Sequence, residues 1–306
     1  MHIAVMAAGA VGGYFGARLS AAGHDVHFIA RGAQLAALRK DGLRVDSPLG
    51  HLHLKQVAAT DNPRDVGAVD IVLFAVKLWD TETAAKAAKP LVGSHTRVIT
   101  LQNGVDSVER IAPIVGKEHV IGGVSYISSV IASPGVISHT SPFARILCGH
   151  ADRRADPALS AFVQAAQQAG VDAALSDDIE RERWQKFVFL VGLSGATGAT
   201  RMALGPILAD PDTRAFFRKL MEEVIAVARA KGIDLPPDYL ADRMKFADAA
   251  PPAMKASLLH DLERGNRLEV DWLSGKVAAL GRELGVPAPA NEAVYAVLKL
   301  HRLGGS

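Results

Sequence analysis

The sequence predicts an α/β protein: a doubly wound sheet domain at the N-terminus, followed by an all-α domain. Three observations carry this. Apolar strand-like runs alternate with helix-like runs through roughly the first 175 residues. A glycine-rich turn follows the first strand directly. After Asp177 strand patterning stops, and runs suited to helices take over, split by Gly or Pro stretches such as Leu235-Pro-Pro-Asp238 and Val286-Pro-Ala-Pro289. The expected domains are therefore 1–176 and 177–306, with no long linker and no internal repeat.

Taken in order, residues 2–6 form an apolar strand, Gly9 to Gly16 a glycine-rich turn, Val11 to Ala22 a helix ended by Gly23, and His24 to Ala30 a second strand. Residues 34–40 suit a short helix. Leu43 to Asp46 and His51 to Lys55 alternate apolar and polar around Ser47-Pro-Leu-Gly50, which predicts an inserted hairpin. Asp70 to Val76 is nearly continuous in apolar residues, the pattern of a strand buried on both faces. A helix over 80–89, a strand over 97–101, strand-like runs near 119–131 and 144–148, a helix over 157–169 and a strand over 171–175 complete the first domain. In the second, 178–201, 211–231, 237–248, 253–264, 268–285 and 290–302 suit helices.

Bulk properties narrow the class of partner. Of 306 residues, 34 are Lys or Arg and 32 are Asp or Glu, a formal net charge of +2 with no basic run. That spread does not suit nucleic acid and does suit a small anionic ligand. The single cysteine, Cys148, excludes an internal disulfide and reads as a buried strand residue. Low cysteine use, a first strand in place of a signal peptide and the lack of a membrane-length apolar run lead us to expect a cytoplasmic protein with no membrane partner. No metal site is expected. A homodimer is compatible with the sequence, which does not determine oligomeric state.

The turn reads Ala7-Ala8-Gly9-Ala10-Val11-Gly12. It matches the dinucleotide fingerprint G-x-G-x-x-G except that alanine stands in the first glycine position. Gly9 would let backbone approach a pyrophosphate and Gly12 would let the helix pack on the strands. The helix N-terminus would then offer free N–H groups and a positive dipole end. If position 7 required a positive φ, alanine there would be strained. An NAD site usually carries an acid at the tip of the second strand to hold the ribose 2′-hydroxyl. Here that tip is Ile29-Ala30-Arg31. A guanidinium pairs with a 2′-phosphate, so NADPH/NADP+ is the expected cofactor of a Rossmann-type domain.

Four segments could supply the rest of a keto-reducing site: Ala75-Val-Lys77, Leu101-Gln-Asn103-Gly104, Arg183-Trp184-Gln-Lys186-Phe187, and Ser257 to Asp261 followed by Arg267-Leu-Glu269. With the opening Ile3 to Gly16 and Arg31, these resemble the ketopantoate reductase (2-dehydropantoate 2-reductase) family over nearly the whole chain. The resemblance implies NADPH reduction of a 2-keto acid, 2-dehydropantoate to (R)-pantoate, a step of pantothenate biosynthesis. It implies a site in the cleft between a Rossmann domain and a helical domain. Matched residue by residue, Lys186 is the proton donor to the ketone oxygen, and Glu269 contacts substrate and orients the lysine. Ser257 binds substrate, Asn103 stands at the nicotinamide and substrate end, and Lys77 lies near the cofactor. Ser129 is a further cofactor contact in a loosely matched stretch. Ala7, Ala8, Gly9, Ala10, Val11, Gly12 and Arg31 complete the cofactor set. Trp184 reads as packing.

The match departs where the family carries asparagines four, eight and eighteen residues after the lysine: this chain has Leu190, Ser194 and Leu204. Leu190 and Ser194 would share a helix face with Lys186 and face the substrate. A leucine in place of a two-way hydrogen-bonder leaves a polar substrate group short of a partner, at a cost of about 1–3 kcal/mol. Three readings stay open: a ketopantoate reductase whose pocket compensates elsewhere, an NADP-dependent reductase of a different 2-keto or hydroxy acid, and a non-catalytic NADPH-binding protein.

Overall fold

In a computed structural model, which describes residues 1–305, the chain forms two compact units, Met1–Glu182 and Arg183–Ser306. The division falls inside a helix, later than the 176/177 position expected from the end of strand patterning. The physical reason is Ile179: it lies in that helix's first turn and is buried with Val124 and Leu147 of the sheet, so the turn packs with the strands.

The first unit contains β1 (His2–Met6), α1 (Ala10–Ala21), β2 (Asp25–Ile29), α2 (Gly32–Asp41), β3 (Leu43–Asp46), β4 (Leu52–Leu54), β5 (Ala58–Thr60), β6 (Ile71–Phe74), α3 (Thr81–Ala88), β7 (Arg97–Thr100), α4 (Ser107–Val115), β8 (Val120–Tyr126), β9 (Ser129–Ser133), β10 (Val136–His139), β11 (Arg145–Gly149), α5 (Pro157–Gln168) and β12 (Asp172–Leu175). Eight strands form one sheet in the order β12-β11-β8-β7-β6-β1-β2-β5. All neighbours pair in parallel except β8 with β11. The chain leaves β1 toward β2 on one side and returns to β6 on the other. The strand tips beside β1 are therefore a topological switch point, the usual ligand position in such sheets.

Alternation along the buried strands divides the core into two layers. Ile3, Val5 and Phe28 pack on one face, whereas Ala4, Met6, Val72 and Phe74 pack on the other. The predicted hairpin is β3–β4, and it joins a second, four-stranded sheet in the order β4-β3-β10-β9. The single strand-like run near 119–131 resolves into β8 and the start of β9, broken around Ile127 and Ser128. A buried ionic group ties the first unit together near its far edge. The Asp156 carboxylate accepts from Arg97 and lies 2.9 Å from His150 Nε2, while its other oxygen caps α5 at Ala158 N–H. Burial opposes its ionisation, but the Arg97 and His150 hydrogen bonds prevail and hold it near about 2.

The second unit is α6 (Ile179–Thr200, its first turn packed with the sheet), α7 (Leu204–Ala209), α8 (Pro211–Ala230), α9 (Tyr239–Ala249), α10 (Ser257–Glu263), α11 (Ser274–Leu284) and α12 (Pro289–Leu298). Residues 187–200 of α6 carry no charge, as befits a helix covered by neighbours on most sides. Three glycines three residues apart govern how closely those neighbours approach. A Cβ at Gly192 would meet Met221 Cγ at 2.6 Å, one at Gly195 Leu220 Cδ1 at 3.0 Å, and one at Gly198 Leu258 Cδ2 at 2.7 Å. Each glycine costs the helix about 1 kcal/mol relative to alanine, which the closer packing of α8 and α10 offsets. The buried Glu223 carboxylate accepts from Ala290 N–H and Asn291 N–H at 3.0 and 2.9 Å, satisfying the start of α12.

Candidate active site

The turn between β1 and α1 is shaped for a phosphate. Ala7 is not among the residues with positive φ, so alanine there meets no left-handed strain. Gly12 is required by close approach: a Cβ would meet Ala7 O at 2.4 Å, Val5 Cγ1 at 2.8 Å and Ala75 Cβ at 3.1 Å. Gly9 is different. It caps α1 without a side-chain cap, and a Cβ there would meet nothing within 4 Å. Open space, the helix's leading N–H groups and backbone bared by Gly9 make the cradle a pyrophosphate needs. Arg31, exposed at the tip of β2 as the N-cap of α2, adds a cation where a 2′-phosphate would sit. These residues fit NADPH.

Two glutamines hold the strand tips in register, and motif reading missed the role of both. Gln34 Nε2 donates to Ala8 O at 3.1 Å, while its Oε1 accepts from Gly135 N–H at 2.9 Å, tying the glycine turn to the β9–β10 turn. Gln102 Nε2 donates to Val76 O at 3.1 Å and to Thr81 Oγ1 at 2.9 Å, locking the tip of β7 to the segment after β6. Their sequence signal is faint: Gln102 stands inside the Gln-Asn-Gly motif, and Gln34 has none. Beyond Gln102, Asn103 is partly exposed, and Gly104 makes the turn with φ +84°. Lys77 is exposed, its ammonium 5.5 Å from the Trp79 ring centroid. The Ser129 hydroxyl, at the start of β9, is buried and lacks a hydrogen-bond partner.

In the second unit, α6 carries Lys186 at the edge of its uncharged stretch. Lys186 is half-buried, and its ammonium is pushed down to about 8 by burial, against the opposing pull of the Glu269 carboxylate. Glu269 is 7% exposed and precedes a 3-10 turn at Val270–Trp272. The fold thus brings together two residues 83 positions apart in sequence. Trp184 is fully buried, edge-on to Phe187, in agreement with a packing role. Leu190 is half-buried, whereas Ser194 is 1% exposed with an unpartnered hydroxyl. Ser257, the first residue of α10, is exposed. Leu204 is fully buried, so the asparagine position it occupies is here a core position. Cys148 is buried in β11, its thiol pushed up to about 12 by desolvation and by the Asp156 charge, which leaves it inert.

A Rossmann-type sheet with this turn, joined to a helical unit bearing a desolvated lysine beside an acid, defines an oxidoreductase acting on CH–OH groups. Residues 3–153 match the family model described as ketopantoate reductase PanE/ApbA, and residues 178–302 match its C-terminal counterpart. The chain belongs to the ketopantoate reductase family, whose members use NADPH. Among its relatives, the 2-dehydropantoate 2-reductase of Mesorhizobium japonicum is 32% identical over 320 residues, covering 98% of this chain and 97% of the relative. An uncharacterised oxidoreductase of Bacillus subtilis, YkpB, is 30% identical over 301 residues, with 98% and 99% covered. Among solved structures, the 2-dehydropantoate 2-reductase of Geobacter metallireducens has a TM-score of 0.92 at 33% identity, with 98% and 99% covered. The reduction for which the family is named is a step of pantothenate biosynthesis. No helix among the described residues is long and apolar enough to cross a membrane.

Proposed function

We propose that the protein reduces 2-dehydropantoate to (R)-pantoate with NADPH, and that Lys186 donates the proton. The observation that carries this reading is the Lys186–Glu269 pair. A lysine pushed down to about 8 is mostly charged at neutral pH yet gives up its proton far more readily than an exposed one. Bound NADPH supplies the hydride. Lys186 Nζ–H donates to the ketone oxygen, polarises the carbonyl, and passes its proton as negative charge builds on that oxygen. Glu269 keeps the ammonium charged before the transfer, and water reprotonates the amine afterwards. Ser257 and Asn103 hold the polar groups of the keto acid. The N–H groups at the start of α1 and the Arg31 guanidinium hold the dinucleotide, with Lys77 and Ser129 as further contacts.

A second reading, reduction of a 2-keto acid with a more apolar side chain, is favoured by Leu190 on the face of α6 that carries Lys186. NADPH oxidation across a panel of 2-keto acids separates the two. A preference for 2-dehydropantoate supports the first reading, and a preference for branched or aromatic 2-keto acids with little turnover of 2-dehydropantoate replaces it with the second. No turnover of any member removes both.

A further inference from the structure

At the opposite end of β1 from the glycine turn, two histidines and an aspartate converge. β1 and β2 pair in parallel, with His2 beside Asp25 and Ala4 beside His27. Alternate residues of a strand share a face. His2 and Ala4 therefore lie on one face with Asp25 and His27, and pairing carries the three polar side chains to one corner of the sheet. His2 Nε2 is 3.7 Å from one Asp25 oxygen, and His27 Nε2 is 3.1 Å from the other. One ligand atom from each of the three lies within 4.8 Å of the others. The imidazoles are edge to face with ring centroids 5.0 Å apart, so their nitrogens converge on the carboxylate.

Two features distinguish this corner from an ordinary surface ion pair. First, His2 Nε2 is buried and has no hydrogen-bond partner. A buried imidazole nitrogen left without a partner is costly unless something ligates it. Second, His2 is held in place through its backbone: its N–H donates to Asp70 Oδ2 at 2.8 Å, and its C=O accepts from Asp70 N–H at 2.9 Å. The backbone that carries the donor is therefore fixed before any ligand arrives.

We propose that His2, Asp25 and His27 form a binding site for a first-row divalent metal ion of the zinc type. A tetrahedral ion with bonds of about 2.0–2.2 Å separates its donors by about 3.3 Å. The His2 and His27 nitrogens stand 3.7 and 3.1 Å from the two Asp25 oxygens, and the three ligand atoms lie within 4.8 Å of one another, a set that a small rotation of the exposed Asp25 side chain would close around an ion. Two imidazole nitrogens and one carboxylate oxygen suit Zn2+, Co2+ or Ni2+, and too few oxygens are present for Mg2+ or Ca2+. Asp25 is 66% exposed on its side chain, which leaves the fourth position to water and gives the ion an entry path. A bound ion would clamp the beginnings of β1 and β2 about 13 Å from the glycine turn, one strand length away. The site was illegible along the chain because residues 2 and 25 become neighbours only through strand pairing.

The test uses the untagged, chelator-stripped full-length chain titrated with Co2+. Binding of one equivalent is expected, with tetrahedral absorption between about 500 and 650 nm that Zn2+ displaces and Mg2+ does not. Zn2+ should also raise the melting temperature by a few degrees. His27→Ala, and separately His2→Gln, should weaken binding at least tenfold and abolish the thermal shift while leaving NADPH-dependent turnover unchanged. His24→Ala, which removes the imidazole 3.3 Å from the N-terminal amine, should bind normally. No cobalt absorption, or undiminished binding in both His27→Ala and His2→Gln, overturns the proposal.

Discussion

In the first unit, the tips of β1, β6 and β7 offer mainly backbone: the turn at Ala7–Gly12 and the free end of α1, with two glutamine side chains that fasten neighbouring segments. In the second unit the candidate groups are side chains: Lys186 on α6, pushed down to about 8 by burial, and Glu269, before the Val270–Trp272 turn, whose charge opposes that shift. On the proposed reading, the first region recognises charge that is already fixed on a ligand. On the same reading, the second moves charge. A backbone cradle needs correct geometry only, whereas a proton donor also needs a tuned environment. Substitutions in the two regions should therefore fail in different ways.

The largest effect is expected in the second region. Lys186→Ala should lower kcat at least 10²-fold while leaving NADPH affinity nearly unchanged, measured by steady-state kinetics and by fluorescence titration. Near-normal turnover would remove Lys186 from the chemistry. The same group sets a pH limb. The reaction needs the charged lysine, so kcat for reduction should fall as pH rises through about 8. Glu269 raises that value, and Glu269→Gln should move the limb to lower pH. An unmoved limb would uncouple the pair.

The next effect belongs to the cradle, where its two glycines should behave oppositely. Gly12→Ala forces a Cβ against a backbone oxygen at 2.4 Å and should destabilise the first unit by about 1–3 kcal/mol, read by denaturant unfolding. Gly9→Ala places its Cβ in open space, so stability should hold while NADPH affinity falls. Equal stability losses would mean that Gly9 serves packing alone. Arg31→Ala should then erase most of a preference for NADPH over NADH, roughly ten- to a hundredfold, the value of a charge-assisted hydrogen bond. A wild type that favours NADH would break the argument from that arginine. The smallest effect is expected from Leu190→Asn, a gain of about tenfold or less on 2-dehydropantoate. An unchanged kcat/KM would mean that the residue does not face the substrate.

The same contrast explains what the sequence made legible. The glycine turn, the absence of an acid near Arg31 and the apolar run before Lys77 are local signals, and the structure has the turn, both strands and the helix where they point. Long apolar runs and glycine or proline breaks located most of the helices of the second unit. Short or irregular elements escaped. β5 is three residues long and α7 six, too short for a repeated pattern, and α4 carries Pro113, a helix breaker, in its last turn. β10 was hidden because Val136 to His139 follows Pro134-Gly135 and reads as loop. The coupling of Lys186 to Glu269 has no local signal at all, and only the family resemblance pointed to it. The bonds of Gln34 and Gln102 were invisible for the same reason, because their partners lie across the sheet tips.

The four-stranded sheet has a consequence for the order in which the molecule assembles. β3 and β10 pair in parallel although about ninety residues separate them. Contacts across so long a stretch of chain close late, after nearer pairings have paid the entropy of bringing the ends together. Gln34 ties the turn after β1 to the turn that begins β10. The Ala7–Gly12 segment is thus braced, through Gln34, by a turn more than a hundred residues further along the chain. A nascent chain lacking β10 would carry the nucleotide fingerprint without a finished nucleotide site, and acquisition of cofactor would mark the completion of the fold.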